Sequence, residues 1–91
     1  MREDCLFCKI IHNKIPAKLV YEDDQVVAFN DISPQAPVHV LIVPREHIET
    51  INDLGDANLA GHMVLTAKKI GSMLGISQSG YRLIMNCNED G

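Results

Sequence analysis

Three side chains of metal-binding type are spaced as in a structural zinc site. Cys5 and Cys8 form a Cys-x-x-Cys pair, and His47 follows 39 residues after Cys8. Two thiolates and one imidazole provide three of the four ligands of tetrahedral zinc. Thioredoxin-like redox motifs use the same spacing, but a strand precedes them, and none is predicted before Cys5. Two small buried cysteines are the remaining alternative. These residues favour zinc, with a fourth ligand missing from the sequence.

His39 is the only polar side chain in the apolar run from Val38 to Val43. A buried imidazole is costly unless it is hydrogen-bonded, and the proline-containing loop before it could shape a pocket. The alternative is a core histidine bonded to a backbone carbonyl. When His39 is considered alone, this alternative is favoured.

Two further polar residues stand at predicted strand ends. Asp31 begins the proline loop, where a carboxylate could accept hydrogen bonds from both hydroxyls of a sugar diol. A turn-capping aspartate is equally common at such a position. Asn86 could bind a phosphate or cap the following turn. Position alone does not decide between the two roles for either residue.

The elements that must position these residues follow from hydropathy patterns and turn signals. A short helix over 6–12 is broken at 13–16, where Pro16 disfavours helix. Two predicted strands over 18–22 and 25–30, rich in Val, Tyr and Phe, flank an Asp-Asp turn and predict a β-hairpin. The proline loop 31–37 leads to a third strand, which we expect in the sheet interior because it is nearly all apolar.

The second half of the chain predicts one long helix. It should run from about Asp56, a plausible N-cap, to Leu74, with Gly75 ending it. One helical turn over 50–54 precedes it, and a fourth strand over 81–86 follows a turn at 77–80. A short helix, a long helix and antiparallel strands predict a single α+β domain over residues 1–91.

Composition excludes several classes of protein. The net charge is -4 and the eight basic residues are scattered, which argues against a nucleic-acid partner. No apolar stretch approaches the ~20 residues that span a bilayer, and no secretory signal is apparent. Three cysteines without a signal peptide favour reduced thiols and a cytoplasmic location.

Taken together, four segments resemble the histidine-triad (HIT) family, in its nucleotide-binding and nucleoside phosphoramidase branch. The closing segment from Gly80 to Asn86 fits as well, so the match covers essentially the whole chain in the right order. The four segments are Cys5–Ile11, Tyr21–Phe29, Asp31–His39 and Ile42–Ile48.

The resemblance implies a purine-nucleotide site. Asp31 matches the carboxylate that holds the ribose hydroxyls, Asn86 a polar residue near the phosphate, and His39 the imidazole beside the reacting phosphate. Cys5, Cys8 and His47 match zinc ligands of the metal-containing branch. The family hydrolyses nucleoside phosphoramidates and related nucleotide esters through a histidine nucleophile, and its members pair as homodimers. The positions that match the wall of the base and sugar pocket are Leu6, Phe7, Ile10, Phe29 and Ile32.

The sequence departs from the family in one respect. The H-x-H-x-H motif, which carries the nucleophile and the fourth zinc ligand, should lie on a strand soon after Gly91, and the 91 residues do not contain it. We therefore expect a HIT domain truncated before that strand, with about 20 to 25 further residues in the intact protein. His39 would be a supporting residue that cannot replace the nucleophile.

Two hypotheses besides a hydrolase follow from this departure. One is a catalytically inactive module that binds purine nucleotides through Asp31 and the apolar pocket. The other is a zinc-stabilised fragment built on Cys5, Cys8 and His47. Nucleotide titration and metal analysis distinguish them.

Overall fold

The computed structural model describes residues 5–12 and 18–91 and confirms the α+β class. The chain divides into two compact units, residues 1–47 and residues 48–91. Among the described residues, no helix has the length and hydropathy needed to span a bilayer. The predicted break at 13–16 lies outside the described residues. In chain order the elements are α1 (Leu6–Ile11), β1 (Leu19–Glu22), β2 (Val26–Asn30), β3 (Val40–Pro44), a 3-10 turn (Ile51–Asp53) and α2 (Ala57–Met73).

The first unit contains an antiparallel sheet in the order β1-β2-β3. The predicted hairpin of β1 and β2 is confirmed, with its turn at Asp23. One carboxylate oxygen of Asp23, Oδ1, accepts the backbone N–H groups of Gln25 at 2.8 Å and Val26 at 2.9 Å. Aspartate favours such turns because its side chain can replace a backbone acceptor.

The prediction that the third strand is interior is wrong for the described sheet. The central strand is β2, and its residues 26–29 are all buried, whereas every residue of β3 is only partly buried. Within this sheet β3 pairs with β2 alone, in a register that sets Val27 opposite Val43. An apolar run indicates that a strand is covered, but strand order depends on pairings that the run itself does not encode.

Arg45 fixes the chain immediately after β3. Its Nε donates to the backbone carbonyl of Asp23 at 2.6 Å, and its Nη2 lies 3.2 Å from a carboxylate oxygen of Glu22. Its own backbone N–H donates to the carbonyl of Gln25 at 2.9 Å. The hairpin turn therefore holds the segment that carries His47, two residues further on.

In the second unit, α2 has the ends that the sequence predicts. The Asp56 side chain accepts the N–H groups of Asn58 and Leu59, which satisfies donors that the first helical turn leaves free. At the other end Gly75 adopts a φ of 75°, and the N–H of Ile76 donates to the carbonyl of Gly71 at 3.0 Å. This pattern is a Schellman cap, which requires a left-handed residue that glycine provides without strain.

The predicted fourth strand over residues 81–86 is not formed. These residues belong to no strand, and all six are exposed. A strand needs a hydrogen-bonded neighbour, and residues 48–91 contain no other strand to provide one. Tyr81 packs instead on α2: a Cβ added at Gly71 would lie 2.8 Å from the Tyr81 ring. The absence of a side chain at Gly71 is what admits the ring.

Candidate functional site

The loop between β2 and β3 brings Asp31 and His39 together. The N–H of Asp31 donates to the carbonyl of His39 at 3.0 Å, so the ends of the proline loop are joined through their backbones. Their side chains meet as well, with 3.5 Å between Asp31 Oδ2 and His39 Nε2. Both are partly exposed, at 22% and 29% of the side chain. A solvent-facing carboxylate therefore lies beside a solvent-facing imidazole.

Two backbone N–H groups of the loop orient this pair. Ser33 donates to Asp31 Oδ1 at 2.8 Å, and Gln35 donates to His39 Nδ1 at 3.0 Å. Since His39 Nδ1 accepts a hydrogen bond, the proton of the neutral ring belongs on Nε2. His39 thus presents an N–H donor at Nε2, and Asp31 Oδ2 remains an acceptor next to it.

The roles of Ser33 and Gln35 were not predicted from the sequence. An Asp followed two residues later by a backbone N–H donor is the pattern of an Asx turn, so the Ser33 contact had a recognisable signal. The Gln35 contact had none, because its donor is a backbone group that any residue other than proline carries.

The apolar residues expected to wall the base and sugar differ in exposure. Phe7 of α1 packs against Phe29 of β2, with ring centroids 6.0 Å apart and planes tilted by 47°. Phe29 is buried, whereas Phe7 and Leu6 are about half exposed and Ile10 is partly buried. Ile32, on the proline loop, is 92% exposed. The structure thus joins two of these five positions in one aromatic contact, and the wall itself stays a prediction.

Asn86 lies in the second unit, where its side chain is exposed. It follows residues 81–85, which belong to no helix or strand, and precedes a polar turn in which Asn88 has a φ of 58°. Its expected place near a phosphate stays a prediction.

Cys5, Cys8 and His47 converge in the first unit. Cys5 is the N-cap of α1, and its sulfur accepts the N–H of Cys8 at 3.5 Å. The Cys8 sulfur lies 3.2 Å from His47 Nδ1, and the three potential ligand atoms are all within 4.8 Å of one another. The spacing in sequence therefore becomes a cluster in space.

This cluster fits zinc at three of its four positions. Zn–S and Zn–N bonds of about 2.3 and 2.0 Å set tetrahedral ligand atoms roughly 3.5–3.8 Å apart, so small side-chain rotations would suffice. His47 Nε2 is buried without a hydrogen-bond partner among the described residues. The imidazole would bind through Nδ1, because that nitrogen already lies 3.2 Å from the Cys8 sulfur. No fourth ligand of this type joins the cluster among the described residues.

Comparison with known proteins gives consistent matches. A sequence model of the HIT domain matches residues 12–91. The chain is 50% identical to a purine nucleoside phosphoramidase of Escherichia coli (strain K12), over all of this chain and 78% of that protein.

Solved structures agree with the sequence matches. A histidine triad protein from Clostridium difficile superimposes with a TM-score of 0.94 at 43% identity, covering 99% of this chain and 80% of that one. A HIT family hydrolase from Legionella pneumophila gives 0.92 at 48% identity, covering 96% of this chain and 80% of that one.

Proposed function

This chain belongs to the HIT family, and from that premise we propose that it is a nucleoside phosphoramidase, which hydrolyses the P–N bond between a purine nucleoside 5′-phosphate and an amine. One observation carries the proposal: identity of 50% extends over the whole chain to a relative described as a purine nucleoside phosphoramidase. A structural neighbour is likewise described as a hydrolase. None of the relatives reported above supports the inactive alternative.

The geometry of the proline loop supports this function. The Asp31 carboxylate would accept hydrogen bonds from the ribose hydroxyls, which are donors that a carboxylate suits. The His39 Nε2–H would donate to a phosphate oxygen and stabilise the charge that grows there during substitution at phosphorus. Their side-chain atoms are 3.5 Å apart, so sugar and phosphate of one nucleotide would engage neighbouring groups.

The nucleophile would be a histidine of the H-x-H-x-H strand that the family resemblance implies beyond Gly91. Its imidazole nitrogen would attack phosphorus, the P–N bond to the amine would break, and the amine would leave with a proton. Water would then displace the histidine and release the nucleoside monophosphate. The residues up to Gly91 would bind and orient the substrate for both steps.

Zinc held by Cys5, Cys8 and His47 would be structural. It would connect α1 to the segment after β3, and it would supply no step of the reaction. The 3.2 Å approach of Cys8 to His47 supports this assignment, because two of the ligands already meet. Metal analysis of the purified protein tests it.

We also propose a homodimer in the cytoplasm. Support for the dimer comes from large apolar side chains that the second unit leaves exposed, on α2 and on the segment after it, which association would cover. The most exposed are Leu65, Met73, Leu83, Ile84 and Met85. Three free cysteines agree with a reducing compartment. Sedimentation of the purified protein measures the oligomeric state.

A substrate panel tests the proposed function. Protein from the complete reading frame is incubated with adenosine 5′-phosphoramidate, with an AMP alkyl ester and with ADP, and products are separated by chromatography. We expect AMP to form fastest from the phosphoramidate. Saturable AMP binding without hydrolysis of any substrate would instead identify a binding module.

A further inference from the structure

The two thiols at the start of α1 differ in their surroundings. Cys5 is partly exposed at the N-cap, whereas Cys8 is 3% exposed and its sulfur contacts His47 Nδ1 at 3.2 Å. Their sulfur atoms are no more than 4.8 Å apart. One thiol can therefore meet a solute, and the other is screened from solvent and contacts an imidazole nitrogen.

This asymmetry suits an exchangeable dithiol as well as it suits a metal. A disulfide bond is about 2.05 Å long, so the sulfur atoms would have to approach by less than about 3 Å. Cys-x-x-Cys is the spacing at which proteins form reactive dithiols, since both side chains lie within one turn. Rotation about the Cα–Cβ bonds can supply much of that approach.

We propose that Cys5 and Cys8 form a redox-active dithiol that exchanges with small disulfides, in which Cys5 is the entry thiol and Cys8 the resolving thiol. This activity is separate from nucleotide hydrolysis and uses none of the residues assigned to it.

The exchange has two balanced steps when glutathione disulfide is the oxidant. The Cys5 thiolate attacks one sulfur of the oxidant, which forms a Cys5–glutathione disulfide and releases one glutathione. Cys8 then attacks the Cys5 sulfur. The Cys5–Cys8 bond forms, and the second glutathione leaves with the proton of the Cys8 thiol. Two protein thiols are oxidised, and one glutathione disulfide is reduced to two thiols.

Oxidation and zinc binding exclude each other in this arrangement. Zinc requires both cysteines as thiolates, and the disulfide leaves His47 as the one side chain of these three that could still bind it. Bound zinc should therefore protect the thiols, and oxidation should release the metal. The same three side chains would couple metal loading to the thiol balance of the surroundings.

Thiol counting in glutathione buffers tests the proposal. The full chain, reduced and stripped of metal, is equilibrated at increasing ratios of oxidised to reduced glutathione. It is then quenched in acid and treated with a maleimide, and its intact mass is measured. We expect two of the three maleimide additions to disappear together, and peptide mapping to join Cys5 to Cys8. Cys87→Ser should show the same midpoint. Glutathione retained on Cys5 with Cys8 still alkylated at equilibrium would overturn the proposal, as would a disulfide to Cys87.

Competition between zinc and the oxidant is the last test of the proposal. Saturating zinc added before the oxidant should slow the loss of thiols at least tenfold, and oxidation should release zinc to a chelating dye. Equal oxidation rates with and without zinc would show that the site is not shared. No nucleotide enters these assays, so their failure would leave the phosphoramidase proposal untouched.

Discussion

Asp31 and His39 are linked twice, through backbone and side chains. The Asp31 N–H donates to the His39 carbonyl at 3.0 Å, and Asp31 Oδ2 lies 3.5 Å from His39 Nε2. The first contact is a well-formed hydrogen bond that closes the proline loop. The second is long, so a ligand could replace it at small cost. The loop thus holds an acceptor and a donor side by side, ready to engage adjacent parts of one nucleotide.

Asp31→Asn should weaken the binding of AMP. The substitution keeps the size of the side chain but removes the charge that would hold the ribose hydroxyls, and hydrogen bonds to charged groups contribute about 1.5–3 kcal/mol. We expect the Kd for AMP to rise roughly 10- to 100-fold in isothermal titration calorimetry. The matched control is Asp24→Asn, an exposed aspartate of the hairpin turn. Equal affinities for the two variants would rule out a role of Asp31 in binding.

His39→Ala should slow hydrolysis more than it weakens binding. The Nε2–H donor would act on charge that develops in the transition state, and removal of one such donor typically costs about 100-fold or more in kcat. We expect kcat for adenosine 5′-phosphoramidate to fall by roughly that factor, with the Kd for AMP nearly unchanged. His12→Ala, at an exposed histidine, is the control. A rise in KM at constant kcat would show that His39 contributes to ground-state binding alone.

Zinc should stabilise the fold through Cys8. At free zinc one hundred times its Kd, the linkage contributes about 2.7 kcal/mol, and each kcal/mol raises the Tm of a domain this size by about 4–8 °C. We expect EDTA to lower the Tm by roughly 10–20 °C, measured by circular dichroism. Cys87→Ser should keep this shift, and Cys8→Ser should lose it. A shift of equal size in both variants would place the metal elsewhere.

Gly71→Ala and Gly61→Ala should have opposite effects. Both glycines lie in α2, where alanine normally stabilises a helix by about 1 kcal/mol. A Cβ at Gly61 meets nothing within 4 Å, whereas one at Gly71 would lie 2.8 Å from the Tyr81 ring. Urea denaturation should show Gly61→Ala to be stabilising and Gly71→Ala to be destabilising by about 1 kcal/mol.

Repeating Gly71→Ala in a Tyr81→Ala variant identifies why the two glycine substitutions differ. In Tyr81→Ala, the Gly71→Ala substitution should become stabilising by about 1 kcal/mol, because the obstructing ring is gone. If Gly71→Ala still destabilises in that background, the Tyr81 contact is not the reason.

Local signals allowed much of the fold to be predicted. The long helix could be read from the sequence because Asp56 and Gly75 mark its ends by themselves. The hairpin could be read for the same reason, since Asp23 forms its own turn. The strand over 81–86 could not, because composition reports a backbone tendency while strand formation depends on a partner.

The sequence predicted some contacts of the site and not others. The Cys5–Cys8 pair follows from spacing, but the approach of His47, 39 positions after Cys8, depends on the path of the intervening chain. Residue type and spacing grouped these three residues as possible zinc ligands, and the family resemblance implied the same role. The Asp31–His39 contact likewise depends on closure of the proline loop, and the orientation of His39 on a backbone N–H from Gln35. The backbone groups that make these two contacts are common to nearly all residue types, so the sequence does not reveal them.

The central claim is that this protein hydrolyses purine nucleoside phosphoramidates. The most direct measurement is the steady-state rate at which protein from the complete reading frame releases AMP from adenosine 5′-phosphoramidate, with Asp31→Asn and Asp24→Asn in parallel. The account predicts saturable turnover whose kcat/KM falls at least tenfold in Asp31→Asn and is unchanged in Asp24→Asn. Release of AMP no faster than in buffer, by protein that still binds AMP, would contradict it.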